Sequence, residues 1–132
     1  MVFADTNIVV HAYGVDPAKI TAAQAIINAA PVISTQVINE FHNVARRKLG
    51  LDMVTRHRVA TDLLQCCRVV AIDQAIVAAA MRVESRYQVS YWDALILAAA
   101  LAAGCDTLYS EDLQDGQVFE GRLTVKNPFV GL

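Results

Sequence analysis

Four acidic residues stand where this chain passes between elements: Asp5, Glu40, Asp93 and Asp112. Asp5 heads the polar cluster Asp5-Thr6-Asn7, directly behind the apolar run Met1-Val2-Phe3-Ala4. An apolar run that short reads as a strand buried on both faces, and open α/β sheets keep their binding crevice at the carboxyl ends of such strands. Carboxylates gathered in one crevice repel, so they either take up protons or are neutralised by a cation. A hard divalent ion such as Mg²⁺ suits an all-oxygen set, because it keeps several waters and needs few protein ligands. Held against a phosphate, such an ion lowers the pKa of an attacking water and stabilises charge on the leaving oxygen. The chemistry implied is phosphodiester hydrolysis.

The elements that must bring these acids together are legible from caps and periodicity. Asp16-Pro17 supplies an N-cap and a first-turn proline for a helix through about Asn28, which Pro31 ends. Val32-Ile33 reads as a short strand, and Ser34 or Thr35 caps a helix running to Leu49 and stopping at Gly50. Asp52 caps the next helix, through about Cys66. Arg68 to Ile72 is a β-branched strand, with Asp73 capping a helix from Gln74 to about Arg86. Ser90 opens the most apolar helix, which Gly104 closes; Thr107-Leu108-Tyr109-Ser110 and Leu123-Thr124-Val125 are the last strands.

Strands separated by helices predict crossover connections and an α/β fold: a mainly parallel central sheet with helices on both faces. The carboxyl ends of parallel strands share one edge, which places Asp5 and Asp112 together. Asp93, in the first turn of a helix returning from the sheet, can reach the same edge. On a helical wheel, Val37, Ile38, Phe41, Val44 and Ala45 form the apolar arc of the helix after Val32-Ile33. Glu40 lies at the margin of that arc, flanked by Gln36, Asn43 and Arg47, a position that suits a cleft wall.

Composition excludes several other classes. With 132 residues, 55% of them hydrophobic, residues 1–132 read as a single domain. The longest apolar stretch, Ala94 to Ala103, falls short of the roughly 20 residues a membrane span needs. Asp5 interrupts the amino terminus too early for an export signal. Cys66 and Cys67 are adjacent and Cys105 is left over, which fits a reduced, cytoplasmic setting. There is no CxxC pair, HExxH helix or Gly-rich phosphate loop. A net charge of −2 argues against a broad basic surface for nucleic acid, so any polyanion must be gripped locally.

The ordered set Asp5-Thr6-Asn7, helical Glu40, Tyr91-Trp92-Asp93-Ala94-Leu95-Ile96 and Leu108-Tyr109-Ser110-Glu111-Asp112 resembles the PIN-domain ribonucleases, in particular the VapC type of toxin. The similarity runs over nearly the whole chain. It implies a compact three-layer nuclease fold and an RNA-cleaving site dependent on Mg²⁺ or Mn²⁺. It also implies a homodimer held inactive by a small cognate antitoxin, the partner in a toxin–antitoxin pair. The family's catalytic, metal-binding acids map onto Asp5, Glu40, Asp93 and Asp112, with Thr6, Asn7 and Ser110 as orienting groups. Because Glu111, Asp112 and Asp115 crowd one loop, the family's Ser/Thr-x-Asp pattern favours Asp112 and leaves Asp115 and Glu111 as alternates. Arg46, Arg47 and Lys48, the densest basic cluster, share a helix with Glu40 and become the candidates for RNA phosphate contact.

Each assignment has a structural rival. Asp5 could simply cap a helix starting at Thr6 or Asn7, Glu40 could be an ordinary solvated helix residue, and Asp112 could belong to a turn. Ser90-x-x-Asp93 fits a capping-box variant worth roughly 1 kcal/mol. Arg46 to Lys48 suits a helix carboxyl end. His11, His42 and His57 read as surface or core groups, and Tyr91 and Trp92 as packing residues rather than base-stacking platforms. Two other functions are open: a receiver-like signalling module, suggested by the strand order and the ending Val125-Lys126-Asn127-Pro128, and a PIN-fold binding module without catalysis. The first needs a phosphoacceptor Asp after a central mid-chain strand, and only Asp73 approaches that position. The second must carry the cost of clustered, unneutralised carboxylates.

Overall fold

The computed structural model describes residues 1–132. In chain order the elements are β1 (Val2–Ala4), α1 (Thr6–Ala12), α2 (Pro17–Asn28), β2 (Val32–Ser34), α3 (Thr35–Arg47), α4 (Met53–Cys66), β3 (Arg68–Val70), α5 (Gln74–Tyr87), α6 (Tyr91–Ala102), β4 (Thr107–Tyr109), β5 (Val118–Phe119) and β6 (Leu123–Lys126). The strands form one sheet in the order β3-β2-β1-β4-β6-β5, parallel except for the β5–β6 pair.

From β1 the chain winds outward through β2 to β3, then returns past β1 to β4. Right-handed crossovers therefore carry α1 to α4 over one face and α5 and α6 over the other. Packing between α1 and α2, α1 and α3, and α3 and α4, with α5 paired to α6, follows that division. The winding direction reverses between β1 and β4, the switch point at which doubly wound sheets open a crevice.

Thirty-three buried apolar residues form one connected cluster, with Phe3, Ile33, Phe41, Leu97, Leu108 and Val125 among those fully enclosed. In α6, every residue from Ala94 to Ala100 is buried. A helix apolar all round must lie inside the protein, and the small alanine side chains let α5 and the sheet approach it closely. No helix is long and apolar enough to cross a membrane. Cys66, Cys67 and Cys105 are all free thiols.

Most predicted caps are present: Asp16, Asp52 and Asp73 each accept from first-turn backbone amides, and Ser90 accepts from Asp93 N. Several details differ from the sequence reading, among them β3, which ends at Val70 rather than Ile72. A seven-residue helix, α1, starts immediately after Asp5 and uses it as N-cap, so the capping role and the crevice position belong to the same carboxylate. α3 ends at Arg47, two residues before Leu49, and Gly50 turns the chain at φ +63°. Its N-cap, Ser34, makes no side-chain capping bond, and the Thr35 hydroxyl accepts from Ile72 N on the neighbouring connection at 3.1 Å. The two-residue edge strand β5 lies between Gly116 and Gly121, too short to leave a periodic signal.

Candidate active site at the carboxyl edge of the sheet

β1 and β4 pair in the register Ala4↔Tyr109, so the next residues along, Asp5 and Ser110, leave the sheet side by side. The ladder extends to both: Asp5 N donates to Tyr109 O at 3.0 Å, and Ser110 N donates to Lys126 O at 3.1 Å. Asp5 then turns into α1, with Oδ1 accepting from Thr6 N at 2.7 Å, while Oδ2 accepts from the Ser110 hydroxyl at 2.8 Å. Ser110 Oγ in turn accepts from Asp112 N at 3.1 Å. Asp5 is 3% exposed and Ser110 is fully enclosed. Burial is the main reason the Asp5 carboxyl is pushed up to about 7; the bonds from Ser110 and Thr6 oppose the shift, and the charges of Asp112 and Glu40 add to it.

Glu40, Asp93 and Asp112 line one cleft of about 800 Å³, together with Gln36, Asn39 and Trp92. Glu40 is held at both oxygens: the Thr6 hydroxyl donates to Oε2 at 2.9 Å and Gln36 Nε2 to Oε1 at 2.6 Å. Gln36 Nε2 also donates to Trp92 O at 3.1 Å, which ties α3 to the start of α6. Asp93 occupies the first turn of α6, half-buried. Its carboxyl is raised chiefly by burial, with the charges of Asp112 and Glu40 adding to the shift and the Ser90 hydroxyl opposing it. Asp112 accepts from Asn7 Nδ2 at 3.0 Å.

The predicted acids therefore meet at one end of the sheet, three on the cleft wall and Asp5 behind them. The other two acids of the loop face elsewhere. Glu111 pairs with His11 at 2.7 Å, and Asp115 accepts from Asn127 N at 2.8 Å, which ties the loop to the segment after β6. His11 also stacks edge-on against Phe129, so its role is packing and anchoring of that loop. Arg46, Arg47 and Lys48 are exposed at the end of α3 and do not line the cleft. Asn43 does line it, and Arg47 follows one helical turn later. Tyr91 packs partly against the core, but Trp92 is 66% exposed, so the expectation that both are packing residues holds only for the first. Gln36, which braces Glu40, and Asn43 belong to the polar flank that the helical wheel places beside Glu40, whereas Asn39 carries no distinguishing sequence signal. A receiver-type arrangement is absent, since Asp73 follows the edge strand β3 and is spent capping α5.

The donor set fits a hard divalent cation. Apart from Ile72, Trp92 and Leu95, the side chains lining the cleft carry only oxygen or amide groups, and two buried acceptors, Asn7 Oδ1 and Gln36 Oε1, have no partner. No three acidic, histidine or cysteine side chains close around a single point, so there is no all-protein cage. That matches a hydrated ion gripped directly by one or two carboxylates, with the rest acting through water.

The fold has close counterparts among solved structures. A chain of a toxin–antitoxin complex from Klebsiella pneumoniae superposes with a TM-score of 0.74 at 20% identity, covering 98% of both chains. VapC20 of Mycobacterium tuberculosis, a sarcin-ricin loop cleaving toxin, gives 0.68 at 19% identity over 83% of this chain and 88% of its own. A chain of VapBC2 from Rickettsia felis, bound to a DNA fragment from its promoter, gives 0.64 at 16%, over 96% and 98% respectively. At such identities the likeness is one of fold. No curated protein matches the sequence significantly. Residues 2–114 match the PIN domain, which spans β1 through the loop carrying Asp112, and the chain accordingly belongs to the PIN domain family.

Proposed function

We propose that the protein is a metal-dependent endoribonuclease of the VapC type, the toxin of a type II toxin–antitoxin pair acting in the cytoplasm. The observation that carries this reading is the cleft: Glu40, Asp93 and Asp112 line it, and Asp5 stands behind them, joined to the Asp112 backbone through Ser110. Family membership and the toxins among its structural counterparts support the same conclusion.

Asp5, Asp93 and Asp112 would hold Mg²⁺ or Mn²⁺, with Glu40 acting directly or through water. When bound, the ion supplies a Lewis acid for a phosphoryl oxygen and lowers the pKa of a water. Thr6 and Gln36 orient Glu40 so that its carboxylate can take the proton of an attacking water, and Asn7 fixes Asp112. Ser110 holds Asp5 in register with the loop beyond β4. Arg46, Arg47 and Lys48 would draw the RNA backbone alongside an otherwise acidic cleft. A homodimer and a small antitoxin that closes the cleft complete the proposal.

The test compares RNA cleavage by the wild type and Asp5→Asn, in Mg²⁺ or Mn²⁺ and in chelator. Internal cuts that require metal and vanish in the variant, with circular dichroism unchanged, support the reading. Equal cleavage by the variant would remove Asp5 from the site.

A further inference from the structure

Trp92 is anomalous for a residue at the mouth of the most apolar helix. It is 66% exposed, on the rim of the cleft, while the helix residues from Ala94 to Ala100 are buried. The Tyr91 ring meets it edge-on at 5.9 Å, which braces the indole without covering it. Leaving an indole in water forgoes the burial that usually accounts for a tryptophan.

A second observation lies beside it. Gln36 is 8% exposed, and its Nε2 is shared between two acceptors, Glu40 Oε1 and Trp92 O. Both neighbours can only accept, so the amide cannot be turned over, and Oε1 is left enclosed without a donor. Asn39 and Asn43, further amide side chains, line the same wall.

A flat apolar face next to exposed amides is the chemistry that receives an unpaired nucleobase: stacking on the ring, hydrogen bonding at the edge. We propose that Trp92 stacks on a single-stranded nucleobase flanking the scissile phosphate, with the exposed amides of Asn39 and Asn43 on the same wall offering hydrogen bonds to that base's edge. The inference rests on the ribonuclease reading and adds to it the requirement for an unpaired base at this subsite.

Trp92 is the single tryptophan of the chain, so its emission reports this ring alone. The probes are a mixed-sequence single-stranded RNA 10-mer and the same oligomer made with abasic sugars, titrated in Mg²⁺ into Asp5→Asn protein to prevent turnover. The RNA should quench the emission and the abasic oligomer should not. On the wild-type background, Trp92→Ala should raise KM for the RNA about 5- to 100-fold with kcat largely kept, and Trp92→Phe should stay within about threefold. Binding of the RNA with unchanged emission, equal quenching by the abasic oligomer, or an unaltered KM in Trp92→Ala would overturn the stacking role while leaving the nuclease intact. If the wild type neither binds nor cuts the RNA, the ribonuclease reading fails and this inference with it. Should Trp92→Ala fail to fold, the emission titration and Trp92→Phe still decide the matter.

Discussion

The hydroxyl of Ser110 donates to Asp5 Oδ2 at 2.8 Å across a separation of 105 residues, and the same oxygen accepts from Asp112 N. One fully enclosed hydroxyl thus couples the end of β1 to the loop beyond β4, the two strands between which the sheet reverses direction. A hydroxyl is required because the position must donate and accept at once.

Ser110→Ala should therefore leave the buried Asp5 Oδ2 and the Asp112 amide without their partner. Stranding buried polar groups costs about 1–3 kcal/mol. Chemical denaturation should show a loss in that range, and the Kd for Mn²⁺ should rise as Asp112 loses its anchor. A stability change within about 0.5 kcal/mol would mean that the hydroxyl is incidental.

Asp5 makes the metal-free protein sensitive to pH. Its carboxyl titrates at 3.8 ordinarily and is pushed up to about 7 here, mainly by burial. Between those values the folded protein holds a proton that the unfolded chain has released. Stability should fall as pH rises from about 4 to about 7, by on the order of 4 kcal/mol in total. Asp5→Asn should flatten most of this fall and unfold at a higher Tm than the wild type at pH 8 in chelator. Mg²⁺ should restore wild-type stability at pH 8, since a ligand of the native state stabilises it. Thermal melts at pH 5, 6, 7 and 8 decide the point, and parallel profiles for the two proteins would sink it.

The acids were legible in the sequence because the features that place them are local: Asp5 ends an apolar run, Asp93 follows a capping serine, and Asp112 trails a strand. Glu40 was legible only as a margin residue of a helical wheel. What chooses its inward direction is the pair Thr6 and Gln36, and the Thr6 contact spans 34 residues of sequence. The short helix α1 is legible only as a structural rival for Asp5, because it begins without a loop, its N-cap being the residue directly after β1. The exposure of Trp92 is not legible for the opposite reason. Its neighbours are apolar in sequence, but helix geometry turns it to the open rim, and composition cannot say which way a first-turn side chain faces.

The three acids of one loop should separate by function. Asp112 lines the cleft and is bonded by Asn7, whereas Asp115 accepts from Asn127 N and ties the loop to the segment after β6. Asp112→Asn should lower kcat at least 100-fold and weaken Mn²⁺ binding. Asp115→Asn should cut RNA within about threefold of wild type, with a modest fall in Tm. The reverse pattern would move the fourth acid to Asp115.

Arg47 tests whether the acidic cleft borrows its affinity for RNA from the end of α3. The helix places Arg47 one turn beyond Asn43, a cleft residue, and leaves it exposed beside Arg46 and Lys48. A cation contacting one phosphate of a single strand releases condensed counterions, so log Kd depends on log salt with a slope of roughly 0.7 per contact. Arg47→Ala should weaken RNA binding at low salt, reduce that slope by about the value of one contact, and converge on the wild type as salt rises and screening removes the difference. Because the side chain touches no group in the cleft, kcat at saturating RNA should be unchanged. A uniform loss of affinity at every salt concentration would instead mean that the substitution disturbs α3 and the Glu40 it carries.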